Sequence, residues 1–285
     1  MLSRILTLTA MLIVAAPLSS GCATTTARTI ERGAASVLVS DEDEEKLGLQ
    51  VKAEVEKQGI KYIDDPQVVA YVQKLMTPIT QAANADRKGV TWKLQVIDDP
   101  KTVNAFATPG GYIYVYSGLI LAADNESEVA GVMSHEAAHV SARHSARQMV
   151  NAYGLETVLG LAMGKNPGLI SKIGASIVGN GAMLAHSRGD ETEADELGAK
   201  YAAKTGYNPQ GLVSFFQKLL AQQGKTPKVL TWLSTHPATE DRIAHIQQYI
   251  VAKGYSGAVT DTPEFQQIKA KLQARPAPVA ATAPQ

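Results

Sequence analysis

His135, Glu136 and His139 spell H-E-x-x-H inside the stretch NESEVAGVMSHEAAHVSARHSARQM, residues 125–149. On a helix, two imidazoles four residues apart lie one above the other and can share one metal ion. A carboxylate next to the first histidine faces the same cleft, near enough to take a proton from water that the metal holds. This is the zinc-hydrolase arrangement. It requires a helix, and the flanking residues supply one. Asn125 is a good N-cap and Glu128, three residues on, suits a capping box. No proline follows, and Ala, Val, Met, Glu, Gln and Arg dominate. One continuous helix is expected over residues 125–149. The bland alternative is a helix with two surface histidines.

A catalytic zinc takes three protein ligands and keeps one position for water. Cys22 is the only cysteine, so the third ligand is expected to be His, Asp or Glu from another element. The segment RGDETEAD, residues 188–195, brings Asp190, Glu191, Glu193 and Asp195 to a helix start. Glu191 and Asp195 are four apart and share a face, while Glu193 points elsewhere. The economical assignment makes Glu191 the ligand and has Asp195 hold a ligand histidine in its tautomer. Read alone, the same segment is a solvated acidic turn. His144 falls off the ligand face and reads as structural; His186 and His245 read as surface residues.

The elements that position these groups are mostly helical. Residues 41–45 are five acids that suit a helix start, with Leu47, Leu49, Val51 and Val55 following. A second helix begins at Asp65-Pro66 and carries Val68, Val69, Val72, Leu75, Met76 and Ile79 as an apolar stripe. The period then changes to two. Residues 91–97 and 103–107 read as strands. Tyr112-Ile113-Tyr114-Val115-Tyr116 reads as a half-buried strand with its tyrosines on one face. Placed just before the zinc helix, the backbone of Gly111, Tyr112, Ile113 and Tyr114 is expected to pair an extended substrate strand. Residues 154–184 are Gly/Ala-rich and apolar, with halves too short to cross a membrane. They read as two packed or mobile helices, a lid over the cleft, in preference to a membrane-interface hairpin. Further helices are expected over residues 187–205, 211–223 and 239–253.

The 285 residues carry 27 basic and 27 acidic side chains, so nothing electrostatic favours nucleic acid. Arg4, an apolar run over residues 5–16, and Pro17-Leu18-Ser19-Ser20-Gly21-Cys22 have the order of a secretory signal. Cys22 after Ser-Gly reads as a lipobox cysteine, although Ser19 stands where leucine is usual. The alternative is an ordinary signal peptide and a free thiol. The expected organisation is a lipoprotein-type signal over residues 1–21, a flexible tether over 22–40, a metallopeptidase domain over 41–258 and a mostly disordered tail over 259–285. Ala23 rather than aspartate after the cysteine resembles lipoproteins sent on to the outer membrane, so an outer-membrane lipoprotein facing the periplasm, anchored by a lipid on Cys22, is expected.

From residue 41 to 253 the chain resembles the gluzincin peptidases, the family of HtpX and the CAAX prenyl proteases, and within it the periplasmic LoiP- and BepA-like branch. The residues that carry the likeness are Asn104-Ala105-Phe106-Ala107-Thr108-Pro109-Gly110-Gly111, His135-Glu136-x-x-His139 with Val140 and Arg143-His144, Glu191-x-x-Ala194-Asp195, and Ser234-Thr235-His236-Pro237 with Arg242. The resemblance implies an α+β, mainly helical zincin-like domain with a small β-sheet beside the H-E-x-x-H helix. It implies one Zn2+ per chain on His135, His139 and Glu191, with Glu136 as general base. It also places His236 near the zinc, either as a donor to the oxyanion or as a fourth ligand that keeps the enzyme latent. Arg242 then supports that loop or binds a substrate carbonyl. The implied function is degradation of unfolded or misassembled proteins in the bacterial envelope. Two rivals are a zinc-bound, latent chaperone or assembly factor working with outer-membrane assembly machinery, and a structural lipoprotein whose motif is incidental.

Overall fold

A computed structural model describes residues 39–180, 186–222 and 232–275. The signal peptide, Cys22 and all but the end of the expected tether lie outside the described residues, as do residues 181–185, 223–231 and 276–285. The first helix, α1 (Asp41–Lys57), is capped by the Ser40 hydroxyl, with Asp41, Glu42, Asp43 and Glu44 in its first turn. The second, α2 (Pro66–Ala83), has proline at its start and the Asp65 side chain as N-cap. Both agree with what caps and macrodipole favour.

Three strands follow: β1 (Lys93–Ile97), β2 (Ala105–Thr108) and β3 (Tyr112–Tyr116). Their order in the sheet is β1-β3-β2, with β1 parallel and β2 antiparallel to β3. This corrects the expected role of Gly111, Tyr112, Ile113 and Tyr114. Tyr112, Ile113 and Tyr114 pair with Lys93, Leu94 and Gln95 on one side and with Thr108, Ala107 and Phe106 on the other. With both edges of β3 taken, its ladder groups have no edge left for a substrate strand. The half-buried reading is corrected too, since every residue of β3 is buried. Ile113 and Val115 face a core shared with α2 and the zinc helix. Tyr112, Tyr114 and Tyr116 face a second cluster built from α1 and the helices that follow the zinc helix. Phe106 stacks on Tyr114 there, with centroids 4.6 Å apart.

After a short helix, α3 (Ser117–Ala122), comes the zinc helix, α4 (Glu126–Ser141), capped by Asn125. It is shorter than expected. Ala142 closes it, Arg143 adopts a left-handed φ of 60°, and α5 (His144–Tyr153) leaves in a new direction. A left-handed arginine costs about 1 kcal/mol. Its guanidinium is held by the Val39 carbonyl and by Glu44, 2.9 Å away. Next come α6 (Leu155–Ala162) and α7 (Pro167–Asn180), which pack on α1 through Val158, Leu161, Ile170, Ile173 and Ile177. The packed arrangement of these two helices therefore holds, and the face they cover is the tyrosine face of the sheet. Among the described residues no helix is long and apolar enough to cross a membrane.

Two further helices pack directly on α4, α8 (Arg188–Lys204) and α9 (Gln210–Gln222), and α10 (Glu240–Lys253) packs on both of these. Close approach rests on two glycines. A Cβ at Gly131 of α4 would stand 2.7 Å from the Leu212 nitrogen, and one at Gly198 of α8 would stand 3.0 Å from the His135 nitrogen. The folded unit does not end at residue 258. Residues 259–275 join it, and α11 (Pro263–Ala274) buries Phe265, Ile268 and Leu272 at helical spacing in the main core. The Thr260 carbonyl accepts from the Ser127 N–H in the first turn of α4. Burying three such side chains contributes several kcal/mol, at about 1.5–3 kcal/mol each, which a disordered tail would forgo.

Candidate active site

Helices α4 and α8 pack against each other along their lengths, and this brings His135, His139 and Glu191 together. His135 Nε2 and His139 Nε2 are 2.9 Å apart. The Glu191 carboxylate lies 3.4 Å from His139 Nε2 and 3.7 Å from His135 Nε2. Tetrahedral ligands about 2.05 Å from a zinc ion stand roughly 3.3 Å from one another, so the three donors fit one ion. His236 joins them, all four donors lying within 4.8 Å of one another. Glu191 Oε1 and His236 Nε2 are buried without a hydrogen-bond partner, a costly arrangement that a cation between them relieves. The cluster can coordinate a single Zn2+.

Each ligand is held from behind. Asp195 Oδ1 lies 2.9 Å from His135 Nδ1. Arg242 donates to both Asp195 oxygens, with Nη2 2.7 Å from Oδ1, and its Nη1 lies 2.6 Å from Glu191 Oε2. The same Nη1 donates to the Pro237 carbonyl at 3.1 Å, so Arg242 ties the His236-Pro237 loop to the ligands. His236 stacks on Trp232, centroids 4.2 Å apart, and its Nδ1 is 2.9 Å from the Thr235 hydroxyl. Its Nε2 faces Glu136 Oε1 at 3.6 Å.

Three residues that the motif reading set aside also belong here. His144 Nδ1 meets His139 Nδ1 at 2.7 Å, and His144 Nε2 meets Glu193 Oε2 at 3.1 Å. Glu193 thus serves the second ligand much as Asp195 serves the first. His186 is not a surface residue: it is half-buried and stacked on His139, centroids 3.8 Å apart. The signal for His144 lay in the Arg143 turn, which no glycine or proline marks. His245 is exposed and pairs with Glu196 at 2.9 Å.

Burial sets the protonation states. It pushes His135, His144 and His236 well below the usual imidazole range, and His139 and His186 to about 3. Neutral imidazole is the form a metal needs. The Glu191 carboxyl is pushed up to about 7 by burial, against the pull of Arg242. Burial and the neighbouring Glu191 together raise Glu136 well above the carboxylate range.

These shifts carry a pH dependence. A histidine with a depressed folded pKa contributes stability present above about pH 6.5 and lost as pH falls toward its folded value. Five histidines act in this sense, while the raised Glu136, Glu191 and Asp195 act in the opposite one. The balance favours acid lability, at about 1.4 kcal/mol per net proton per pH unit. The urea midpoint of the metal-free protein is expected to fall between pH 7.5 and 5.5, and equal midpoints would contradict the assigned neutral histidines.

A helix bearing H-E-x-x-H, with a glutamate ligand from a second helix and a small mixed sheet beside it, defines a gluzincin metallopeptidase; the cluster matches a zinc metalloendopeptidase active site. The chain belongs to Peptidase family M48, whose profile matches residues 66–250. It is 31% identical over 180 residues to the mitochondrial metalloendopeptidase OMA1 of Schizosaccharomyces pombe, covering 63% of this chain and 52% of that one. It is 30% identical over 191 residues to the beta-barrel assembly-enhancing protease of Escherichia coli, covering 64% and 39%. The OMA1 of Arabidopsis thaliana is 30% identical over 208 residues, covering 71% and 41%. The chain thus spans about half the length, or less, of these relatives.

Proposed function

We propose that this chain is a zinc-dependent endopeptidase that cleaves extended segments of unfolded or misassembled proteins in the bacterial cell envelope, from a resting state in which His236 closes the site. The observation that carries the reading is the convergence of His135, His139, Glu191 and His236 around Glu136. Bound zinc supplies Lewis-acid polarisation of the scissile carbonyl and lowers the pKa of water. Glu136 takes the proton from the attacking water and returns it to the leaving amine. A carboxyl raised by burial is matched to that task near neutral pH. Arg242 and Asp195 hold Glu191 and His135 in place throughout.

The resting state follows from access. Glu136 and His139 are 0% exposed, His236 1% and Glu191 3%, so substrate needs the His236 loop to move. This favours latency and keeps open the reading of a zinc-bound chaperone or assembly factor. The sheet edge on the zinc-helix side belongs to β2, where the Ala107 carbonyl accepts from the Ser145 hydroxyl at 3.3 Å. An extended substrate pairing there would displace that hydroxyl. The envelope assignment rests on the signal-like residues 1–22 and on similarity to the beta-barrel assembly-enhancing protease. We place the chain in the LoiP- and BepA-like branch, with a lipid on Cys22, on the same grounds.

The test is cleavage of a permanently unfolded protein and of a natively folded one, by wild type and His236→Ala at equal zinc content. Wild type is expected to cut only the unfolded protein, slowly, and His236→Ala to cut it several-fold faster. A large loss in His236→Ala would make His236 a transition-state donor. No cleavage by either variant would leave the chaperone reading.

A further inference from the structure

The two zinc-facing histidines are braced differently. His135 meets a carboxylate directly, whereas His139 meets a second imidazole that in turn meets a carboxylate. We propose that His144 and Glu193 form a relay that fixes His139 as its Nδ1–H tautomer, leaving the Nε2 lone pair for zinc. The relay deepens the zinc-site reading and rests on it. His144 and Glu193 are positioning residues, since they act through His139 and are not among the four donors around the zinc position.

The proton count leaves one arrangement. Glu193 Oε2 accepts from Arg147 Nη2 at 3.4 Å, and an oxygen that accepts there accepts from His144 too, so the proton of the 3.1 Å contact sits on His144 Nε2. A neutral His144 then has a bare Nδ1, and the proton of the 2.7 Å contact must sit on His139 Nδ1. His139 Nε2 is left unprotonated, facing His135 Nε2 and Glu191. The acceptor oxygen of Glu193 thereby sets a tautomer two rings away. Arg147, which donates to that oxygen, is itself fixed by Asp190, its Nη2 lying 2.7 Å from Asp190 Oδ1. His139 and His144 are fully buried and Glu193 is nearly so, so water does not compete for these contacts.

The backbone shows how the relay is built. In an unbroken helix, residues 139 and 144 would point about 140° apart, at 100° per residue. The left-handed Arg143 breaks the helix and turns His144 back onto His139. Arg143 is itself pinned by Val39 and Glu44, so α1 and Val39, two residues before it, support the ligand geometry.

A different occupant of the same place is testable. His139, His144 and His186 also offer donors within 4.8 Å of one another. A second cation there would need His139 Nδ1 deprotonated, which excludes the relay.

The experiment measures zinc affinity and stoichiometry on the full chain by competition with a chromophoric chelator, without substrate. It is therefore independent of whether the protein cleaves anything. Expected are one zinc per chain and an affinity lower by about 10–100-fold in His144→Leu and in Glu193→Met. His144→Asn, whose amide oxygen can stand near the Nδ1 position, is expected to recover most of the loss. A merely structural role would lower the unfolding midpoint of the metal-free protein in these variants without moving affinity, and that result would overturn the relay. So would two zinc equivalents in wild type falling to one in His144→Leu. If His144→Leu fails to fold, Glu193→Met, of similar size and without an oxygen acceptor, decides alone.

Discussion

Glu136→Gln is expected to bind zinc as wild type does and to lose cleavage by about 10²–10⁴-fold, the usual worth of a general base. The substitution keeps the shape of the side chain and removes its capacity to hold a transferable proton at Oε1 or Oε2. Glu136 is not among the four donors that converge on the metal position, so the metal is expected to stay. Its carboxyl is buried beside the Ala107 backbone N–H, from which an amide oxygen accepts as a carboxylate does, and it faces His236. Equal cleavage by wild type and variant would remove the proton-transfer role from Glu136. Loss of zinc from the variant would instead make Glu136 part of the metal site.

The second large effect is expected at Arg242, where Arg242→Ala should destabilise the fold by about 3–5 kcal/mol, the cost of breaking a buried ion pair from one side. One guanidinium serves three partners. It grips both oxygens of Asp195, reaches Glu191 and supports the Pro237 carbonyl. Its plane also lies against Phe216, 4.6 Å from the ring centroid. Removing it leaves two buried carboxylates without a cation and frees the loop that carries His236. A thermal midpoint lower by about 10 °C, with weaker zinc binding, is the expected result. Arg242→Lys keeps the charge but not the fork, and should recover part of the stability only. A midpoint unchanged in Arg242→Ala would show that the charged cluster contributes nothing to the fold.

The metal site was legible because its information is local. His135, Glu136 and His139 lie within two turns, and Glu191 and Asp195 within one, so helical spacing alone says which faces they share. The helix starts at the acidic residues 41–45, at Asp65-Pro66 and at Asn125 were equally local. What sequence reading missed depends on contacts between distant segments. Sheet order is not a local property, and β3 became the central strand by pairing with β1 across an intervening strand. The tyrosine stripe looked half-exposed because its cover, residues 155–180, lies after the zinc helix. His144 was set aside because Arg143 carries no mark of a left-handed turn; arginine is held there by Val39 and Glu44, residues about 100 positions earlier. The last helix was hidden by the Pro/Ala-rich residues that follow it, although Phe265, Ile268 and Leu272 have helical spacing.

The most direct measurement is zinc add-back to the metal-stripped full chain, following cleavage of an unfolded protein and counting bound zinc in the same samples. The expected result is no cleavage without metal, then activity rising in proportion to zinc and saturating at one ion per chain. Cleavage by the metal-free protein, or one zinc bound without cleavage by either wild type or His236→Ala, would contradict a zinc peptidase centred on His135, His139 and Glu191.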